Sequence, residues 1–594
     1  MSSEGISRRV EAFTVVLNQA RWGRPGEKRW YTSTLELQLA SLELCRACRR
    51  VPTLHVRVND RTPRTLWSRR EPRDEETGSG SPEAGGITSR VPFVRAVRLS
   101  WDLPLEDWVQ SAAIERWAGS VEGMAFSDSL NESIAGVVWP SSVRVFVFGR
   151  YFNQPVDDVA WPRALEKVFF AGSFNQPVAG VVWPSSLRRL SFGKNFDQPI
   201  NDVAWPARLL QLEIEGNFNQ PIAGVVWPSS LEQLRLGNSF NQPVIGVVWP
   251  PSLRNIWFGR FGGSFNQPIA GSTWPASLEL VAFGSTFNQP MAGVVWPASV
   301  QELSFGRAFN HSIAGLVWPA ALRRLSFGDS FNQPMAGVVW PASLQQLSLG
   351  DGFDQPLAGV AWPASLQQLS AGNPPINDAL WPASVQQLSF GNRFNQPIVG
   401  VVWPPSVQQL TLGREFNQPI AGVVWPASLE SLAFGVRFDR PITEVSWPAS
   451  LQQLTLGNSH IYDAVWPASL QQLTFGFFFN KPIVGVAWPA SLKSLRFGYH
   501  FNQPIEGVAW PASLVKLAFG DVFNQPIAGV VWPASLQELS FADAFNQPIA
   551  GAVWPVSLQE LSFGKWRPRF DQPITGVEWP ASLRKVTRGR TSLL

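Results

Sequence analysis

The sequence predicts a β-rich solenoid: a right-handed coil with one parallel sheet, about 21 regular coils and little helix outside an N-terminal head. Three observations carry this. Trp-Pro recurs 21 times between Trp139 and Trp579. The step is about 22 residues, with two longer and two shorter exceptions. Each repeat alternates apolar and polar residues over only four positions, enough for one short strand. Most repeats also carry prolines on either side of the tryptophan. A fixed period of this size marks stacked structural units, and a propeller blade needs about 40 residues, so the shorter period fits one turn of a coil.

With the tryptophan as position 0, the elements follow in order. Leucine or valine stands at 4, usually leucine at 7, and Phe or Leu at 9, with polar residues at 5, 6 and 8. The alternation over 6–9 predicts a strand with 7 and 9 inward and 6 and 8 outward. Glycine at 10 lets the chain turn. Phe follows at 13, Asn or Asp at 14, Pro at 16 and Ile at 17. Prolines at 1 and 16 forbid a helix along the return path, which reads as extended or polyproline-like. Parallel stacking sets equivalent residues about 4.8 Å apart in the sheet, so Trp, Phe and Leu form interior ladders. Each Trp or Phe buries roughly 150–250 Å², which fills a thin coil economically. The tryptophans therefore read as core rather than as a surface row for stacking on sugars or bases. The Asn row (Asn153, Asn175, Asn219) is placed to satisfy turn backbone groups from coil to coil. Asp197, Asp354, Asp439 and Asp571 replace it and still accept hydrogen bonds.

The organisation read from composition has four parts. Residues 1–58 form a small head and 59–90 a charged, glycine-rich linker or mobile loop. Residues 91–138 hold degenerate capping repeats, with Trp117 one full period before Trp139, and 139–594 form the solenoid proper. The insertions around Arg260–Gly263 and Trp566–Arg569 are expected to bulge at the Phe-Asn turn. The short coils ending at Trp381 and Trp466 lose the Phe-Asn-Gln element but keep Ile376 and Ile461. That the same break occurs twice suggests duplication of a block of coils. At the last strand, Arg584, Lys585, Arg588 and Arg590 are expected to discourage a further sheet from adding to the open edge.

The pattern P-x-S-L-x-x-L-x-F-G-x-x-F-N-Q-P-I resembles the FNIP repeat, a short-period relative of leucine-rich repeats, over most of the chain. The resemblance implies a leucine-rich-repeat-like solenoid, an intracellular protein-interaction role, and an F-box or other effector domain ahead of the repeats. Bacterial surface repeats with FNQPL and a following tryptophan look similar, but the L-x-x-L-x-F core favours the first family. In the head, Leu35, Leu37, Leu39, Leu42, Leu44 and Cys48 make one apolar helical face. Leu42, Cys45 and Arg49 loosely resemble the second half of an F-box, although the usual Leu-Pro opening is missing. The other reading is a plain helical cap, which a solenoid end needs.

Composition excludes more than it identifies. Residues 1–100 hold 18 Lys+Arg against 11 Asp+Glu, and the remaining 494 hold 30 against 33. The basic surplus is thus confined to the head and is too spread to argue for nucleic acid. Cys45 and Cys48 form a lone CxxC near His55, short of the four ligands of a structural zinc site. His55, His311, His460 and His500 are scattered, and no phosphate-binding glycine loop occurs. Clustered carboxylates for calcium are lacking. The expectation is a non-enzymatic chain without cofactor, metal or catalytic residues. It is expected to be a monomer in the cytoplasm, with the nucleus as the alternative, since no signal segment, disulfide framework or membrane-length apolar run is present.

The outward columns at 6 and 8 hold what binding information there is. From the coil of Trp296 to that of Trp554 they are mostly Gln or Glu with Ser or Thr, as in Gln346/Ser348, Gln409/Thr411 and Gln472/Thr474. In the early coils Val145, Lys167 and Arg189 stand in column 6, and Val147, Phe169, Glu213, Arg235 and Trp257 in column 8. Aromatics among charges are the composition of interaction hot spots. Those eight residues are the candidate partner-binding set, with Glu213 and Arg235 expected to pair. The alternative is that the N-terminal segment folds back over Phe169 and Trp257. The sequence reading is thus a protein-interaction scaffold with an unidentified protein partner. Its alternative is a substrate adaptor of a cullin-type ubiquitin ligase, bound through the head to the ligase adaptor. A minor alternative is an ice- or carbohydrate-binding solenoid.

Overall fold

The computed structural model describes residues 121–594 except 260, 261, 565, 566, 590 and 594, and before them only the backbones of β1 (Leu54–Val58) and β2 (Val97–Trp101). The helical face of Leu35–Cys48, the CxxC, the 59–90 segment and Trp117 lie outside the described residues, and with them the F-box, cap and fold-back readings. Among the described residues every regular element is a strand. The chain divides into two units, Met1–Ser285 and Thr286–Leu594.

In the first unit β1 and β2 are followed by β3 (Val121–Phe126), β4 (Val145–Val147), β5 (Lys167–Phe169), β6 (Arg189–Phe192), β7 (Gln211–Ile214), β8 (Gln233–Leu236), β9 (Asn255–Phe258) and β10 (Leu280–Ala282). Each pairs in parallel with the next in sequence. Leu54–Val58 is therefore a sheet strand in register with Val97–Trp101. The second unit runs in parallel from β11 (Glu302–Ser304) to β24 (Lys585–Arg588). Register follows the repeat. Leu325 lies beside Leu347, its equivalent one full period on, and across a short coil Leu369 still lies beside its equivalent, Leu388. At the end β25 (Thr591–Ser592) folds back antiparallel on β24. The last edge is thus partly paired, and the cluster of Arg584, Lys585 and Arg588 is not its sole protection.

One coil shows why the pattern folds this way. Leu344, Leu347, Leu349, Phe353 and Leu357, at positions 4, 7, 9, 13 and 17, are all buried. Pro341 accepts a backbone bond from Leu344 at 3.1 Å, closing the turn after the tryptophan. Two kinds of glycine serve two needs. Gly337 has φ +78° with open space around it, so conformation demands glycine there. Gly328 is needed for space instead, because a Cβ would stand 2.1 Å from the Gly306 carbonyl oxygen.

Polar ladders run between coils. Asn241 donates its backbone N–H to Asn219 Oδ1 at 2.8 Å, and Gln242 Nε2 donates to the Asn219 carbonyl at 2.9 Å. Asp197 serves equally, accepting from Asn219 N–H at 2.8 Å. A serine ladder, absent from the sequence reading, accompanies it: Ser365 Oγ donates to Leu344 O at 2.6 Å, and Ser535 Oγ to Leu514 O at 2.7 Å.

In the second unit the aromatic rings stack from coil to coil. Strands lie about 4.8 Å apart. Phe rings at position 9 stack at 5.5 Å (Phe305–Phe327), those at 13 at 6.1 Å (Phe309–Phe331) and the tryptophans at 6.3 Å (Trp318–Trp340). At these separations the near-parallel rings are offset rather than face to face, the arrangement aromatic pairs prefer.

The tryptophans mark the boundary of this core. Trp183, Trp227, Trp340, Trp425 and Trp532 are 7–8% exposed and each follows a valine that is itself 79–82% exposed. Where alanine precedes the tryptophan, as at Trp161, Trp205, Trp362, Trp488 and Trp510, the indole is half-buried. Trp296 and Trp466 are half-buried despite a preceding valine. The outward valines therefore shield most, though not all, of the indoles they precede.

The two short coils are closed by bridges. Asp351 Oδ2 accepts from Asn392 Nδ2 at 2.5 Å, reaching past the coil of Trp362. Past the coil of Trp447, Asp439 lies 3.9 Å from Lys481. Ile376 and Ile461 are both buried.

Candidate protein-interaction face

The sheet register sets the candidate residues in columns. Val145, Lys167 and Arg189 are consecutive partners, and so are Val147, Phe169, Ser191, Glu213, Arg235 and Trp257. Alternation turns positions 7 and 9 inward, so Phe146, Val168, Leu190, Leu212, Leu234 and Ile256 beneath them are buried. Lys167 and Val147 are exposed, while Val145, Phe169, Arg189, Glu213, Arg235 and Trp257 are half-buried.

The expected Glu213–Arg235 pair is corrected. They are direct cross-strand partners, but the Glu213 carboxylate accepts from Arg189 Nη2 at 2.9 Å, the diagonal neighbour from column 6. The same guanidinium lies 5.1 Å from the centroid of Phe169. Small, buried Ser191 stands between Phe169 and Glu213 in column 8 and leaves the room that the arginine side chain takes. Arg235 turns the other way, its guanidinium 4.8 Å from the centroid of Trp257. Each of these outward aromatics is thus covered by an arginine from the neighbouring strand, a favourable cation–π arrangement.

Two consequences follow for recognition. The Arg189–Glu213 pair is internally neutralised, and its guanidinium also lies against Phe169. Arg235 has no carboxylate partner among the described residues; the Nε of both Arg189 and Arg235 is buried without a hydrogen-bond acceptor. Together with exposed Lys167, Arg235 leaves the two columns net positive.

The same face in the second unit is different. A shallow groove of about 380 Å³ runs along it, walled by Glu302, Arg324, Gln346, Gln368, Gln387 and Gln409 with serines between them. Its charges pair with each other, Arg324 with Glu302 at 3.5 Å. Among the described residues no group of His, Cys, Asp and Glu is arranged to hold a metal, and no helix is long and apolar enough to cross a membrane.

The family model described as FNIP Repeat matches eight stretches, residues 174–215, 218–261, 265–308, 309–352, 373–415, 416–459, 479–522 and 523–566. Its gaps at 353–372 and 460–478 fall on the two short coils. Among solved structures, CroV588, a circular leucine-rich-repeat protein, is similar at 35% identity with a TM-score of 0.62, covering 84% of this chain and 79% of that one. An internalin (InlF) from Listeria monocytogenes matches at 12% identity with a TM-score of 0.30, covering 60% of this chain and 86% of that one. No curated protein sequence matches significantly.

Proposed function

The chain belongs to the FNIP repeat family, and from that premise we propose that it is a non-enzymatic protein-interaction scaffold whose first-unit sheet face docks an acidic segment of a partner protein. The observation that carries the reading is the Phe169–Arg189–Glu213 and Arg235–Trp257 assembly. It departs from the Gln/Ser pattern of the repeat, is held in place by its own contacts, and leaves Arg235 without a counter-charge. Aromatic and arginine side chains fixed in advance lose little entropy on binding, which is what makes hot spots effective.

The test uses a photo-crosslinking residue in place of Asn255, the neighbouring outward position on β9, and identifies the attached protein by mass spectrometry. The reading expects one dominant partner whose crosslinked segment is acidic. Its capture should fall with added salt, and with Phe169→Ser/Trp257→Ser while the melting temperature holds. Crosslinking to a basic segment, or capture that survives both substitutions, refutes it.

A further inference from the structure

The most aromatic part of the described surface is not on the sheet. Positions 11 and 12 begin the turn after the strand and are small or polar in most coils, but in two adjacent coils they are Phe477, Phe478, Tyr499 and His500. All four are exposed, Phe477 by 44%, Phe478 by 46% and Tyr499 by 39%. Phe477 stacks on Tyr499 (4.8 Å, 13°) and Phe478 on His500 (5.5 Å, 14°). The two stacks meet nearly at right angles, with Phe477 and Phe478 at 81° and Phe477 and His500 at 80°. The result is a corner of ring faces and ring edges open to solvent.

The next residue in the position-11 column is Asp521, whose loop is bonded to that of Tyr499 through Val522 N–H and Tyr499 O at 3.1 Å. Other aspartates in this column are engaged: Asp329 with Arg307 at 3.3 Å, Asp351 with Asn392, Asp543 with Arg567 N–H at 2.9 Å. The exposed Asp521 carboxylate makes no hydrogen bond or ion pair among the described residues. Lys481, in the turn beside the corner, already faces Asp439.

We propose that this corner and Asp521 form a second docking site, which takes an arginine side chain from a basic peptide segment of a partner. The molecule itself shows what fits an outward ring here. On the sheet face Phe169 and Trp257 each carry an arginine from this chain, whereas no cation of the described residues lies over Phe477, Phe478 or Tyr499. A guanidinium is the group that both stacks flat on a ring and pairs side-on with a carboxylate. This site has the opposite charge preference to the first-unit face and does not depend on that reading. A chain with both would join an acidic segment and a basic one.

The test is anisotropy of labelled Gly-Arg-Gly-Arg-Gly against the full chain, with Lys, Gln and proline-rich peptides of the same length as controls. The arginine peptide is expected to bind at least about fivefold tighter than the lysine and glutamine peptides. Phe477→Ser/Tyr499→Ser is expected to weaken it about tenfold or more, and Asp521→Asn about threefold or more. Phe478→Ser/His500→Gln, which alters the other stack, should also weaken it. Phe169→Ser/Trp257→Ser should leave it unchanged, which separates this site from the sheet face. Equal binding of the glutamine peptide, preference for the lysine or proline-rich peptide, or wild-type affinity in Phe477→Ser/Tyr499→Ser or Asp521→Asn would overturn the proposal.

Discussion

Column 8 of the first unit reads Val147, Phe169, Ser191, Glu213, Arg235 and Trp257, while from β11 onward the second unit begins Ser304, Ser326, Ser348, Ser370, Ser389 and Thr411. Both stand on the same frame. Leu212 and Leu234 under the first face are as buried as Leu347 and Leu369 under the second. The inward positions are fixed by packing, since a ladder tolerates few volumes. The outward positions are not, so a repeat free of other demands drifts to solvated Gln and Ser. Bulky aromatics held under arginines on that side are not required by the coil, which is why the proposed binding role is placed on them.

The largest effect that probes this contrast is in binding. Arg189→Glu/Arg235→Glu should abolish capture of an acidic partner, a loss of about tenfold or more. Gln346→Glu/Gln368→Glu on the second face should change capture little. Pull-down with equal amounts of each folded variant decides it, and equal losses would erase the distinction between the faces. Next in size is a test that the frames are the same. Asn219→Ala and Asn332→Ala each remove the side-chain acceptor of the following coil's backbone N–H, while Gln242 keeps the Asn219 carbonyl and Gln355 keeps Asp354 Oδ1. Each substitution should cost about 1–3 kcal/mol, read as a lower urea midpoint; a change in one unit only would show that the ladders are not equivalent.

Smaller is the effect of Glu213→Gln. It removes a half-exposed ion pair, so stability should move by no more than about 1 kcal/mol. It also frees Arg189, so affinity for an acidic partner should rise, which titration of the captured segment measures. A fall in affinity would mean that Glu213 itself contacts the partner. Smallest is Val182→Ala, which uncovers Trp183. Stability should shift by about 0.5 kcal/mol or less, with a small red shift of tryptophan emission as the reporter.

Much of the site was legible because strand alternation assigns each residue a side. Columns 6 and 8 could be laid out from spacing alone, and Phe169 and Trp257 stood out against the Gln/Ser background. The pairing within the face was not legible. Sequence gives direct neighbours such as Glu213 and Arg235, but a long arginine side chain chooses among direct and diagonal partners by available room. That room depends on Ser191, one strand away from both Phe169 and Glu213. The corner of Phe477, Phe478, Tyr499 and His500 was visible as four aromatics at turn positions. Their meeting as two crossed stacks depends on side-chain rotamers in neighbouring turns, which the repeat pattern does not specify.

The sequence by itself determined the coil: its period, the strand at 6–9, the inward ladders and the acceptor role of Asn or Asp at 14. These follow from alternation, proline and glycine, which act within one repeat. Only the tertiary structure decided the shielding of tryptophan by exposed valine, the serine ladder and the partners of Arg189 and Arg235. Each of these depends on which side chains of neighbouring coils meet. In-register parallel pairing holds the strands about 4.8 Å apart, and the side chains settle into the room that this spacing leaves.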